Sequence, residues 1–217
     1  RDPEMSRGLG DVYKRQINKW GKCRTGAITM YGAGVGVYGN SGYAYTGSTP
    51  SKLKKRIEEA NSSNAEITDI NITENGNYVI ILGGSGYWTL GYPDAFLKKL
   101  EQYRTGDLRD DNILSACFND RGEWVVITDK HYSYSNETIK NFILKAEELY
   151  EEVYYAYITN YGMIACCKNG VYYKNIPSNL AEALKKLTFK PKVIKFTDNG
   201  LYLICLLYTS PSPRDIS

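Results

Sequence analysis

The 217-residue sequence contains a single histidine, His131, and this scarcity excludes several kinds of active site. A Ser-His-Asp triad needs partners for its histidine, and a multi-histidine metal centre needs further histidines. The five cysteines do not form the paired C-x-x-C spacing of a zinc site or a redox motif. The sequence therefore predicts no metal and no cofactor, and it favours an exposed loop for His131.

Neither charge nor apolar sequence points to nucleic acid or a membrane. The chain has 27 Lys and Arg against 24 Asp and Glu, and a net charge of +3 is no electrostatic footprint for a polyanion. No apolar run approaches the roughly 20 residues that a membrane-spanning helix needs. Cys117, Cys166 and Cys167 lie in apolar runs, where cysteine packs as a small hydrophobic residue. This usage leans towards a reducing, cytoplasmic setting but leaves the compartment open.

Both ends of the chain resemble translated sequencing adapter. GDVYKRQ near the N-terminus and CLLYTS from Cys205 onward correspond to the two strands of one transposase-type adapter, which are reverse complements. Such segments are set aside before fold reasoning. We expect residues 1–16 and 205–217 to be disordered adapter, and residues 17–204 to be an internal fragment of a longer metagenomic gene.

The rest of the sequence repeats one motif five times. In each copy an apolar residue and Thr or Asn are followed by two mostly polar residues and Gly, as in Ile72-Thr73-Glu74-Asn75-Gly76. The turn glycines are 44, 46, 40 and 38 residues apart, and a period of this size signals a repeat architecture. They are Gly32, Gly76, Gly122, Gly162 and Gly200.

Each repeat contains the same elements in the same order. A strand enters the turn, where Gly supplies a positive φ, and an almost continuous apolar run predicts a second strand covered on both faces. A third, aromatic strand follows. The spacing then becomes helical after Pro50, Pro93 and Pro177 or after the cap sequence Ser135-Asn136-Glu137.

The predicted fold is mainly β with α, in about four and a half β-β-β-α repeats of about 42 residues. Because a lone three-stranded sheet is not stable, neighbouring repeats must cover it. Strands that meander between glycine turns resemble the repeats of β-propellers, although the WD dipeptide of the WD-repeat family is missing. The resemblance implies a propeller-like ring, and an open solenoid arc is the alternative. The repeats are predicted at 17–61, 62–107, 108–150, 151–188 and, in part, 189–204.

The aromatic third strands supply most of the candidate ligand-binding residues. Equivalent aromatic side chains in successive repeats either form binding shelves or fill the gaps between sheets, and the second alternative is favoured. The basic run from Lys52 to Arg56 is interpreted as a solvated helix face, and acids near the turns as turn residues. The candidate ligand-binding residues are Tyr45, Trp88, His131, Tyr134 and Tyr173.

No motif identifies a reaction, so the sequence favours a non-enzymatic scaffold. Such a repeat scaffold mediates interaction with a protein or another macromolecule, and we expect the full-length protein to be a monomer. A lectin-like carbohydrate-binding module with aromatic pockets is the first alternative. The second is part of a larger propeller enzyme, because acids can act in pairs.

Overall fold

The structure, a computed structural model, describes residues 23–206, with side chains described as far as Cys205. In this part of the chain, strands form five small antiparallel sheets, four of three strands and one of two. Strands pair in chain order within every sheet. The strands are β1 Cys23–Ile28, β2 Gly34–Tyr38, β3 Gly42–Tyr45, β4 Ile67–Ile72, β5 Tyr78–Leu82, β6 Gly86–Leu90, β7 Ile113–Phe118, β8 Trp124–Thr128, β9 Tyr132–Tyr134, β10 Val153–Ile158, β11 Met163–Cys167, β12 Gly170–Lys174, β13 Pro191–Phe196 and β14 Tyr202–Leu206.

A helix follows each three-stranded sheet, which confirms the β-β-β-α unit. Pro50, Pro93 and Pro177 occupy the N-cap positions of three of the helices, as their fixed φ allows. The third helix has no proline, and the Asn136 side chain caps it by accepting a hydrogen bond from the Ile139 N–H at 3.0 Å. The helices are α1 Ser51–Ser62, α2 Asp94–Arg104, α3 Glu137–Tyr150 and α4 Ser178–Lys185. We number the units one to five in chain order.

The hairpin turns follow the sequence prediction in four units and depart from it in the other. Gly32, Gly76, Gly122 and Gly200 have φ between 79° and 93°, a range that favours glycine. Gly162 does not, so the prediction of a positive φ is wrong there. In unit four, four residues rather than five separate the first two strands. A Cβ on Gly162 would lie 2.4 Å from the carbonyl oxygen of Asn175, so glycine is required there for close packing.

Hydrophobic cores lie between successive sheets and the helices beside them. Leu53 and Ile57 of α1 are fully buried between sheets one and two. Phe96 of α2 occupies the same place between the next two sheets, with its ring 5.2 Å from Phe118 and 6.0 Å from Trp124. Each such side chain contributes about 1.5–3 kcal/mol on burial. Since these contacts join neighbouring units, the stability of each unit depends on the next.

The first strands of successive units lie side by side. Neighbours in the series β1, β4, β7, β10 and β13 contact one another, and β13 and β14 also contact β1. Each first strand is six residues long, and each has a register shift between its first and third residues. Equivalent side chains of the five first strands therefore lie close together, in the region where these strands meet.

One buried ion pair lies where these strands meet. Lys195 and Asp69 are each 1% exposed, and the Lys195 Nζ donates to Asp69 Oδ1 at 3.0 Å. Asp69 also accepts hydrogen bonds from the Thr25 hydroxyl at 3.1 Å, the Asn71 Nδ2 at 2.9 Å and the Ala116 N–H at 3.2 Å. Lys195 donates to Asn71 Oδ1 as well. This central network joins units one, two, three and five.

Unit four completes the central network with aromatic rings. The Lys195 ammonium lies 5.2 Å from the ring centre of Tyr155 and 5.0 Å from that of Tyr157, within the range of a cation–π interaction. Burial raises the pKa of both phenols well above its usual value, so both rings remain neutral. Every first strand therefore contributes to the surroundings of one lysine.

The predicted ends lie mostly outside the described residues. This applies to residues 1–16 and 207–217, which were assigned to adapter. β14 continues two residues past the predicted boundary at Ile204, and Cys205 is buried with its Sγ 3.3 Å from that of Cys23. Cys117, Cys166 and Cys167 are core residues, as their apolar surroundings predict.

Candidate functional site

The five candidate ligand-binding residues are distributed over four units and do not converge on one site. Tyr45 ends β3, Trp88 lies within β6, Tyr134 ends β9 and Tyr173 lies within β12. His131 directly precedes β9. Trp88 and Tyr173 each line a separate cleft. Their surroundings differ from unit to unit.

Tyr45 packs against the helix of its own unit. Its hydroxyl donates to Glu58 Oε1 at 2.8 Å, and the Lys54 Nζ lies 5.1 Å from its ring centre. The rings of Tyr43 and Tyr45 are stacked, with centres 5.4 Å apart and planes 8° from parallel. The hydrogen bond to the Glu58 carboxylate raises the pKa of Tyr45. The ring therefore links strand and helix.

Tyr134 and Tyr173 differ in exposure. Tyr134 is half-buried and packs against the large core formed by units three, four and five together with Ile28 of unit one. Tyr173 is 37% exposed and lines a cleft of about 540 Å³ beside the last unit, together with Phe189 and the lysines Lys185 and Lys190. Tyr134 therefore fits the packing alternative, whereas Tyr173 remains accessible to a ligand.

His131 is exposed, as predicted, but it has a partner that the sequence does not reveal. Its Nδ1 lies 2.6 Å from Oδ2 of Asp111, whose side chain is 4% exposed. The Thr128 hydroxyl donates to the same carboxylate oxygen at 3.0 Å. These contacts hold the loop before β9 in place, and they are typical of loop anchoring.

Trp88 lies in a groove between α1 and the outer strand of sheet two. The groove encloses about 440 Å³ and is formed by two adjacent units. Its aromatic walls are Trp88, Tyr78, Tyr87 and Tyr92, and Tyr92 is 38% exposed. We call this the α1–β6 groove; the charged residues that line it are Lys52, Lys55, Arg56 and Glu59.

The charges of the α1–β6 groove are unbalanced. Arg56 donates to Glu59 at 2.7 Å, and its guanidinium carbon lies 5.1 Å from the Trp88 ring centre. Lys52 and Lys55 take part in no ion pair within residues 23–206. Three basic side chains therefore face one acid. This excess of positive charge over an aromatic surface suits a ligand that is both anionic and partly apolar.

The basic run of α1 is evident in the sequence, but its place beside Trp88 is not. Lys55 and Arg56 follow Lys52 by three and four residues, which places both on the same helix face as Lys52. Lys54 turns away and donates to the Gly47 carbonyl at 2.9 Å. The helical spacing was a usable signal. No pattern in the sequence indicates that the neighbouring unit completes the groove.

Between residues 23 and 206 no three His, Cys, Asp or Glu side chains are placed to hold a metal ion together. No helix in that range combines the length and apolar character needed to cross a membrane. A scan against protein-family models gave no match, and searches of curated proteins and of solved structures gave no significant match.

Proposed function

We propose that the chain forms a closed, propeller-like ring of five units and serves as a non-catalytic scaffold that binds an acidic segment of a partner protein in the α1–β6 groove. The contacts of β13 and β14 with β1 support closure, because an open arc would separate its first and last units. The central network supports it too, since Lys195 of unit five reaches Asp69 of unit two across 126 residues.

The observation that carries the binding proposal is the unpaired positive charge of the groove. Lys52 and Lys55 lie beside an accessible aromatic wall that includes Tyr92. Aromatic and Arg side chains are the usual anchors of protein interfaces, and complementary charge steers the partner and fixes its register. An extended segment that alternates acidic and apolar side chains matches both features.

A protein partner fits the groove better than nucleic acid or a sugar. The chain as a whole has a net charge of only +3, so the basic groove is local and does not form the long basic surface of a nucleic-acid-binding protein. Sugars stack on open aromatic faces, but Arg56 covers a face of Trp88 and Lys54 covers a face of Tyr45. Tyr173 is the one candidate residue that favours the lectin alternative, because it is exposed beside its own cleft.

A charge-reversal experiment tests this function. The probe is a fluorescein-labelled synthetic peptide of Glu-Glu-Phe repeats, and its binding to the whole chain is followed by fluorescence anisotropy. We expect K52E/K55E to weaken binding about tenfold or more, and higher salt to weaken it further. The matched control is K98E/K99E, which reverses two neighbouring lysines on the equivalent helix α2.

Three results would count against the proposal. Equal losses in both double variants would mean that only net charge matters, and no binding by the unaltered chain would remove the groove as a peptide site. Binding on a glycan array that is lost in Tyr173→Ala but retained in K52E/K55E would replace the peptide with a carbohydrate.

A further inference from the structure

The outer edge of β14 is the one place in the repeated sheets where a second strand is paired on one side only. In units one to four the second strand pairs with a first strand on one side and with an aromatic third strand on the other. Within residues 23–206 the sheet of unit five consists of β13 and β14 alone. In this part of the chain the outer edge of β14 therefore has no neighbouring strand, and such an edge is a template for pairing with another one.

Ile204, at the centre of β14, is less covered than its equivalents in the other units. It pairs with Ile194 on the inner side and is half-buried, whereas the four equivalent residues are all buried. Each of those four also faces a partner on a third strand, so the missing strand accounts for the difference. The equivalents are Gly36, Ile80, Val126 and Ala165, and their third-strand partners are Ala44, Trp88, Ser133 and Tyr172.

Helix α4 shows the same lack of cover. Three apolar residues follow the N-cap proline at the same spacing in α1, α2 and α4, and all three are 0% exposed in α1 and α2. After Pro177 only Leu180 is fully buried, whereas Leu184 and Leu187 are half-buried. In unit two the third strand helps to cover the preceding helix, since Trp88 packs against the core that contains α1. The uncovered part of α4 therefore lies where a third strand of unit five would pack.

The sequence that follows β14 does not have the character of a third strand. In units one to four two or three residues separate the second strand from the third, and each third strand contains two aromatic residues. The residues at the corresponding place, 209–214, read TSPSPR, with two prolines and no aromatic residue. Strands are enriched in aromatic residues and depleted in proline. The strand that would complete this sheet is therefore sought in another polypeptide.

We propose that the outer edge of β14 is a docking site for an extended, aromatic segment of a partner protein, which pairs antiparallel with β14 and completes the sheet of unit five. In this mode of recognition backbone hydrogen bonds provide affinity and alternate side chains provide specificity. A large side chain opposite Ile204 covers Leu184 and Leu187 as well. A second copy of the chain fits less well, because its own β14 offers a single aromatic residue, Tyr202. The site is separate from the α1–β6 groove and does not depend on the proposed function.

The hydrogen bonds of the complete units define a backbone test. The Thr46 N–H donates to the Gly34 carbonyl of the second strand at 2.9 Å. Ala44, two residues earlier, is equivalent to Trp88. Because N–H groups alternate in direction along a strand, a residue at the Trp88 position donates to the second strand, whereas a residue at the Tyr87 position points its N–H away. N-methylation therefore removes a strand-pairing hydrogen bond at the first position and none at the second.

Fluorescence anisotropy with the whole chain measures the docking. The probe is a fluorescein-labelled synthetic peptide, GGSGYWTLGY, which copies residues 83–92. We expect saturable binding that N-methylation of the peptide's tryptophan weakens about tenfold or more, while N-methylation of the tyrosine before it changes the affinity less than about twofold. Ile204→Arg should also weaken binding about tenfold or more. The matched control is Leu144→Arg, which alters an exposed leucine on α3, and K52E/K55E should likewise leave binding unchanged.

Four results would overturn the proposal. They are no binding at millimolar peptide, equal losses from the two N-methylated peptides, a loss of binding in K52E/K55E, and a dimer in sedimentation that Ile204→Arg converts to monomer. The third result would place the peptide in the α1–β6 groove, and the fourth would make a second copy the occupant of the edge. If Ile204→Arg does not fold, the two methylated peptides decide the question on the unaltered chain. A loss confined to the tryptophan-methylated peptide and Ile204→Arg supports the proposal.

Discussion

Asp69→Ala should be among the most damaging single substitutions in the central network. It leaves the Lys195 ammonium buried without a counter-charge and removes the acceptor for three further donors, namely the Thr25 hydroxyl, the Asn71 amide and the Ala116 N–H. Breaking a buried ion pair in this way costs about 3–5 kcal/mol. Asp69→Ala belongs at the upper end of that range, and its cost is a large share of a total stability of about 5–15 kcal/mol.

Lys195→Met should cost less, because Asp69 retains those three donors and Met fills much of the space of the lysine stem. Removing both charges in Asp69→Asn/Lys195→Met leaves no unpaired ion. We expect that double variant to lose no more than about 2 kcal/mol. Its cost should therefore fall well below the sum of the costs of its two single variants, which is the signature of direct coupling.

Urea unfolding of the whole chain, followed by tryptophan fluorescence and circular dichroism, measures these costs. Asp69→Asn is the milder single variant that completes the double-mutant cycle, and it also serves if Asp69→Ala does not fold. The control cycle uses the exposed pair Glu182 and Lys185 on α4, which are 2.9 Å apart and should couple by less than about 1 kcal/mol. Additive costs at Asp69 and Lys195 would refute the reasoning and, with it, the role of the pair in joining the units.

Three further predictions concern the turns, the cysteines and pH. Gly162→Ala should cost more than Gly122→Ala in urea unfolding, because a new Cβ meets a backbone oxygen at Gly162 and only an unfavourable φ at Gly122; equal costs would contradict this. Burial raises the pKa of Cys117 to about 12 and raises that of Cys166 further, so mass spectrometry should show iodoacetamide labelling of both only after unfolding. The raised pKa of Glu74 means that the folded state holds this proton more tightly than the unfolded state, so its contribution to stability increases as pH falls towards the ordinary glutamate pKa of about 4.3. E74Q should gain less stability on acidification than the unaltered chain, and equal shifts of the urea midpoint in the two proteins across that range would contradict the assignment.

The repeat unit was predictable because its signals are local. The glycine turns, the apolar second strands and the helical spacing after each proline are all encoded within a few residues, and the structure contains each of these elements. The turn at Gly162 shows the limit of this reasoning. The motif is present, but one fewer residue separates the strands, and the reason for the glycine lies in Asn175 and Phe196 of other segments.

The candidate site was predictable only in part, because it is formed by residues from different units. Trp88 was identified as an aromatic of the third strand, and Lys52 and Lys55 as part of a basic run. Their meeting across a groove depends on how unit two packs on unit one, which no local pattern encodes. The partnership of Lys195 with Asp69 is the extreme case, since nothing near either residue in the sequence signals the other.

The repeats also provide a comparison within the chain itself. Positions that are alike in all five units serve the common fold, as the turn glycines do, and a position where the units differ needs a separate physical reason. The position of Lys195 differs in every unit, with Ala27, Asn71, Cys117 and Tyr157 at the equivalent places, and the reason for a lysine in unit five is the buried pair with Asp69. Thr73 departs in its contacts rather than its identity, since it has the same side chain as Thr29 but its hydroxyl makes no hydrogen bond to the turn. The adjoining cavity of about 20 Å³ can hold one water molecule, which would give this hydroxyl the kind of hydrogen bond that the other four units make within the turn.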